Sequence, residues 1–379
     1  PRSPARSRVK DLLAEAAKLD LPTPFLLVDL DCVREHYRAI RNSVEGVEVF
    51  YAVKANDHPA ILEALRDEGS CFEVSSIAEM NVLAAMGVKP SCIASFNPIK
   101  TPAFVAAMQA NGSTLMAVDS ADEVDKAAAL ARDAEIAVRI NVENEGSDWP
   151  LDDKFGVEPS EVVPLLRRAA DRGLKPAGLT FHVGSQCRNA NSWRLAIERC
   201  AAVWEQAAKA GIRLDVLSLG GGIPARHGRP TPTVDEIGRV ICQALHDTGL
   251  TRGNGVRLII EPGRGVVAEA AVMVTSVIAK ANRAGAEWAF IDAGVFNGLM
   301  ETIAGFQYEL STSRPDAPTR NITLAGPSCD SVDVMFRDLS LPAVEIGDRL
   351  YVHAAGAYTT VYASSFNGFA PPAVHILNA

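Results

Sequence analysis

The chain has no CxxC pair, no apolar run of membrane-spanning length, no excess of positive charge, no internal repeat and no low-complexity linker. Its seven cysteines are odd in number and irregularly spaced, which argues against a disulfide framework and for reduced thiols in a cytoplasmic protein. The best membrane candidate, Val266 to Ile278, is broken by Glu269, so no membrane partner is expected. A net charge of −9 speaks against a nucleic-acid or anionic-membrane surface. No metal site is expected. The first ten residues carry four basic groups but no apolar h-region; they read as a frayed arm and not as a secretory signal.

What is present is ordinary for a globular protein: 48% hydrophobic and 22% charged residues. A length of 379 residues allows one large α/β domain and a smaller second one. Eight short β-type runs precede residue 265: Val47–Val53, Cys71–Ser75, Cys92–Ser95, Leu115–Val118, Ile136–Ile140, Leu179–Val183, Leu214–Leu219 and Val256–Ile260. Alanine-rich helical segments lie between them. Ser76 with Glu79, Ser120 with Glu123 and Thr233 with Glu236 match the capping-box spacing, which satisfies two orphan backbone donors. Gly87, Gly173 and Gly211 stand where helices end.

Eight strands alternating with helices predict a (β/α)8 barrel, which needs roughly 250 residues. The barrel is expected over 31–267. A doubly wound sheet usually has fewer strands. From about Ala271 the chain turns rich in Val, Thr, Tyr and Pro, with turn signals at Asn297-Gly298 and Asn367-Gly368. Residues 268–379 therefore read as a β-rich domain, joined by residues 1–30 through the run Pro24 to Leu30.

Barrels of this kind carry their chemistry at the carboxyl ends of the strands. Those ends hold Lys54, Glu73, Asn97, Arg139, His182, the triplet Gly220-Gly221-Gly222, and Glu261 with Arg264. Each has a plain structural account. Lys54 can snorkel to water, His182 can be a hydrogen-bonded core residue, and three glycines can be a flexible loop. Together they suit pyridoxal phosphate. An aldehyde needs an amine, and a desolvated Lys54 supplies a nucleophilic one. A phosphate dianion needs a glycine-lined nest of N–H groups and a guanidinium, here Arg264. A ring nitrogen kept protonated needs a carboxylate, for which Glu261 is the candidate. His182 would stack on the ring.

The motifs YAVKAN, FHVGSQ, LGGGIP, EPGR, GPSCDSVD, and GAYTT with FNGF occur in one order along the chain. In that order they resemble the fold-type III pyridoxal-phosphate decarboxylases, most of all the ornithine/lysine branch in its bacterial form. The tract SDWPLDDKFG (Ser147 to Gly156) strengthens the bacterial likeness, which covers the chain from about Pro22 onward. The resemblance implies an alanine racemase-like barrel with a C-terminal β domain, in a head-to-tail homodimer with shared active sites. It implies that Lys54 carries the cofactor. Ser185, Gly221, Gly222, Gly263, Arg264 and Tyr358 would surround the phosphate, Glu261 would face the ring nitrogen, and Arg139 and Glu73 would flank the ring. Cys329, in trans, would return a proton to the α-carbon, and Asp330 would receive a distal ammonium.

The implied activity is decarboxylation of L-ornithine or L-lysine to putrescine or cadaverine, a step of polyamine biosynthesis. Two departures qualify the substrate. Glu73 stands where many relatives carry Asp. Where ornithine decarboxylases place an acidic residue after the GVF-like turn, Ile303-Ala304-Gly305 has none, and only Glu301 lies nearby. The same chemistry on meso-diaminopimelate or on a specialised siderophore or natural-product amino acid is the alternative. A non-catalytic regulatory homologue is a third reading.

Overall fold

The computed structural model describes residues 12–378; the expected N-terminal arm lies outside them. The chain divides into two compact units. One comprises His36–Pro224 and Thr231–Gly265, the other the described residues up to 35, Ala225–Pro230 and those from 266 on.

The first unit is an eight-stranded parallel sheet in chain order. Glu48–Ala52, Cys71–Glu73, Ile93–Ala94, Leu115–Val118, Glu135–Arg139, Lys175–Thr180, Val216–Ser218 and Arg257–Ile260 follow one another, and the last pairs back with the first. A parallel bridge from Ser95 to Met116 joins the two ends of this sheet, with the Ala117 N–H 2.8 Å from Ser95 O. This single bridge nearly closes the barrel and leaves little open sheet edge. A buried cluster alternates large with small, Phe50 and Phe96 against Ala94, Ala117, Ala137 and Ala177. The two phenylalanine rings meet edge to face at 6.1 Å, the geometry their quadrupoles favour.

Several helices around this sheet start where side chains can accept orphan N–H groups. Ser76, Ser120 and Thr233 each cap the third residue of their helices. Only Thr233 completes the expected box, because the Glu79 carboxylate takes the Ser75 N–H and Glu123 pairs with Lys126. Glu158 forms a further box with Glu161.

The second unit is a mixed sheet. Leu310–Thr312, Arg349–Val352, Ala271–Arg283, Ala286–Ile291, Thr319–Ala325 and Val334–Pro342 lie side by side. The early strand Phe25–Asp29 joins this sheet as expected, antiparallel to Ala271–Arg283 and parallel to Ala373–Leu377. Alternation places Phe25, Leu27, Val272 and Val274 on one buried face, under Leu12 and Ala16.

Candidate active site

Lys54 sits in a single 3-10 turn, Val53–Ala55, directly after the strand Glu48–Ala52. The turn is fixed at both ends: Tyr51 Oη donates to Asn56 O at 2.9 Å, and the Ala52 N–H to Pro262 O at 3.0 Å. Val53 and Ala55 are buried, so the lysine between them is aimed away from the core. Its Nζ lies 2.5 Å from Glu73 Oε2, on the last residue of the next strand. The lysine side chain is 46% exposed and the glutamate 1%. One partner of this ion pair is therefore reachable from outside while the other is locked.

His182 follows the strand Lys175–Thr180. Its Nδ1 accepts the Gly184 N–H at 3.0 Å, which leaves the single proton of a neutral ring on Nε2. Desolvation, then the charges of Arg139 and Lys54, hold its pKa well below the usual imidazole value. The ring is neutral at physiological pH.

Glu261 follows the strand Arg257–Ile260. Its Oε1 accepts the Ser218 hydroxyl and lies 3.4 Å from Thr180 Oγ1. Burial, then the charge of Glu73, push its pKa up to about 7. Ser218, Lys54 and Arg139 pull the other way without prevailing. Glu73, Glu261, Arg139, His182 and Lys54 thus form one electrostatically coupled group at the carboxyl ends of neighbouring strands.

The triplet Gly220-Gly221-Gly222 is built for close backbone approach. Gly220 and Gly222 have φ of +63° and +96°, a region costly for residues with a Cβ. An added Cβ would overlap Phe181 O at Gly220 and lie 2.5 Å from Gly184 O at Gly222. Arg264 and Gly263 are buried in the following turn, where Arg264 opens a four-residue helix. Arg139 lies 5.0 Å over the Phe155 ring, and Ser185 begins the short strand Ser185–Cys187 opposite Ser147–Trp149.

The remaining expected residues belong to the other unit. Tyr358 has φ of +56° and stacks on Tyr362 at 6.0 Å; a bulky residue held in that conformation marks a constrained site. Cys329 and Asp330 are exposed in the turn after the strand Thr319–Ala325. Glu301 is only 4% exposed, in the 3-10 turn Met300–Ala304, and accepts the Tyr308 hydroxyl at 3.3 Å.

Three contributors were not read from the sequence. Ser218 and Thr180 hold the Glu261 carboxyl. Asn144 donates to Val142 O at 2.9 Å and to His182 O at 3.1 Å, and accepts the Leu151 N–H at 2.8 Å. It ties the 144–156 tract to the histidine. Ser218 and Thr180 end strands, as Glu73 does, and that position was their only sequence signal.

Residues 30–268 match the family model described as pyridoxal-dependent decarboxylase, pyridoxal binding domain. The lysine/ornithine decarboxylase of Selenomonas ruminantium is 34% identical over 92% of this chain and 88% of its own. The ornithine decarboxylase of Caenorhabditis elegans is 30% identical over 96% and 89%. Among solved structures, Vibrio vulnificus lysine/ornithine decarboxylase complexed with putrescine superposes with a TM-score of 0.88 at 31% identity, covering 98% of each chain. The chain belongs to the pyridoxal-dependent decarboxylases, in their ornithine/lysine branch.

Proposed function

We propose that the protein decarboxylates L-ornithine or L-lysine to the diamine and carbon dioxide, using pyridoxal phosphate at the carboxyl end of the barrel. The observation that carries this reading is the coupled group Lys54, Glu73, His182 and Glu261, assembled there beside a glycine cradle.

The residues present fit that cofactor. Lys54 is not desolvated as the sequence suggested, because its head reaches past the buried Val53 and Ala55 to pair with Glu73; it is nevertheless reachable and held in one direction, as a carbonyl-binding lysine needs. The absence of a Cβ at Gly220, Gly221 and Gly222 lets their backbone pack directly on Phe181, Glu261 and Gly184, and a main chain so bared suits a phosphate, with Ser185, Gly263 and Arg264 assigned to the same group. Glu261 is a buried carboxyl that a cationic ring nitrogen would hold ionised. Bound there, pyridoxal phosphate supplies an electron sink for the pair left when the α-carboxylate departs.

The chain does the rest. Neutral His182 presents a flat, uncharged face, which avoids repelling a protonated ring. Glu73 keeps the Lys54 ammonium beside the reacting centre, and Arg139 flanks it. Cys329 delivers a proton to the α-carbon. Asp330, whose carboxylate is exposed, receives the distal ammonium. Glu301 is the weaker candidate for that role because it is buried, with its carboxylate against the Tyr308 hydroxyl.

Cys329 and Asp330 act in trans in this proposal, within a homodimer. The β-rich unit supports it with an apolar exposed set, including Val332 at 45%, Phe366 at 40% and Phe369 at 38%, of the kind that marks an interaction surface. All seven cysteines are free thiols, which suits a reducing cytoplasm.

The test is carbon dioxide release by the purified protein with pyridoxal phosphate on L-ornithine, L-lysine, L-arginine and meso-diaminopimelate. Turnover of ornithine or lysine well above the others is expected. Preferred turnover of diaminopimelate, or none on any of the four, would sink the substrate assignment.

A further inference from the structure

Asp333 has no part in the chemistry above, yet it organises the turn that carries Cys329. It is the last residue of GPSCDSVD and is 3% exposed. Its Oδ1 accepts the Val295 N–H at 2.8 Å and its Oδ2 the Ser328 N–H at 3.0 Å. The main chain closes on the same residue: the Gly326 N–H donates to Asp333 O at 2.9 Å, and the Asp333 N–H to Asp330 O at 3.1 Å. A Cβ added at Gly294 or Gly326 would overlap the carboxylate, so both glycines leave it room. Cys329 therefore rides on a short loop closed at its base by a buried carboxylate.

Asn367, from the FNGF motif, holds the tip. Its Oδ1 accepts the Cys329 N–H at 3.0 Å. Its own φ is +54°, a conformation that asparagine tolerates better than most residues. Its segment is in turn anchored, since the Ser364 N–H and hydroxyl donate to Phe296 O at 2.8 and 3.1 Å. The Phe366 ring lies 4.6 Å from the Phe296 ring. Phe296 follows Val295, which donates to Asp333, so three chain segments brace one another around the cysteine.

We propose that Asn367 and Asp333 are positioning residues for Cys329, fixing its main chain so that its thiol proton reaches the substrate α-carbon. The proposal rests on the role given to Cys329 above. In the productive event the electron pair left by carbon dioxide takes the thiol proton, forming the C–H bond of the amine, and the thiolate regains a proton from water. Were the thiol misaimed, solvent would supply the proton at a different carbon, and addition of water would release an aldehyde in place of the amine, the substrate nitrogen staying with the cofactor. The ratio of aldehyde to amine therefore reads how well the thiol is aimed.

The experiment compares holoenzyme variants Asn367→Ala, Asn367→Asp, Asp333→Asn and Cys329→Ala with the wild type. Two readouts are taken: the aldehyde-to-amine ratio, and the alkylation rate of Cys329 by iodoacetamide followed by peptide mass spectrometry. Misplacing a reacting group by about 1 Å costs roughly a hundredfold, so Asn367→Ala is expected to raise the aldehyde fraction about tenfold or more. It should also change the alkylation rate several-fold, while the absorbance of bound cofactor stays. Asn367→Asp keeps the acceptor oxygen and should restore both readouts towards the wild type. Cys329→Ala combined with Asn367→Ala should be no worse in product ratio than Cys329→Ala alone, because coupled residues are not additive.

An unchanged ratio in Asn367→Ala, or additive effects in the double variant, would overturn the proposal even if turnover fell. Should Asp333→Asn fail to fold, the Asn367 series decides by itself. A Cys329→Ala variant with wild-type product ratio would instead remove the proton role of Cys329, and this inference with it. Absence of amine from the wild type would show that the functional reading itself had failed.

Discussion

At the scale of single residues, the site couples two titrations of opposite sign. Glu261 has its pKa raised to about 7 by burial, against an ordinary value near 4.5. A carboxyl of that kind binds more protons folded than unfolded, so its contribution to stability is present below about pH 4.5 and is lost as pH rises to about 7. At about 1.4 kcal/mol per pKa unit, the loss is on the order of 3 kcal/mol. His182, whose pKa is lowered, works in reverse: its contribution is present above about pH 6.5 and is lost below. Glu261→Gln removes the first effect and keeps the second. The cofactor-free variant should therefore gain in urea midpoint on the wild type between pH 5 and 7.5. An unchanged difference across that range would mean that Glu261 titrates normally. Lys54→Ala tests the chemistry itself. It should abolish the bound chromophore and amine production together, whereas a regulatory homologue would keep its biological effect without either.

The residues with charge or nucleophilic chemistry were legible in the sequence because they stand at strand ends, where an apolar run stops on a polar residue. Ser218 and Thr180 stand at the same kind of position and were missed, because a hydroxyl there is unremarkable until the glutamate it serves is known. Asp333 stands in its motif with no sequence signal of its own, since only the fold shows that Val295 and Ser328 turn their N–H groups towards it.

At the scale of elements, strand positions were read to within a few residues, and the largest slip has a physical reason. The strand expected at Leu179–Val183 runs from Lys175 to Thr180 instead. Its first four residues, Lys175-Pro176-Ala177-Gly178, have none of the β-branched or aromatic side chains that signal a strand, and pairing with Glu135–Arg139 and Val216–Ser218 overrides that weak propensity. The helix caps show the converse. Three capping-box patterns were present, but the competing partners Ser75 and Lys126 drew two of the glutamates away. The complete box at Thr233 has its hydroxyl accepting the Glu236 N–H at 3.2 Å and its own N–H 2.7 Å from the Glu236 carboxylate. Thr233→Ala should cost about 1 kcal/mol, a typical loss for a cap. Urea unfolding should show it as a lower midpoint with kcat/KM unchanged. A fall in kcat/KM at equal cofactor occupancy would mean that this helix start also orders the site.

At the scale of the whole molecule, the proposal that matters most is that two chains share each active site. If Lys54 of one subunit works with Cys329 of the other, the Lys54→Ala and Cys329→Ala variants fail for different reasons and can rescue each other. Random reassortment of equal amounts gives half mixed dimers. In each mixed dimer one site carries both substitutions and the other carries neither, so amine production should recover to about one quarter of the wild-type rate. Sites contained within one subunit would give no recovery above the mean of the two parents. The exposed aromatic set supplies the control. Phe369→Glu puts a charge on the face proposed to be covered, where an unpaired buried charge is costly. It should shift sedimentation from dimer towards monomer and abolish complementation, because a shared site cannot outlast the contact that builds it. A variant that sediments as a monomer and still turns over substrate would place Cys329 in the same subunit as Lys54, and the head-to-tail arrangement would fall.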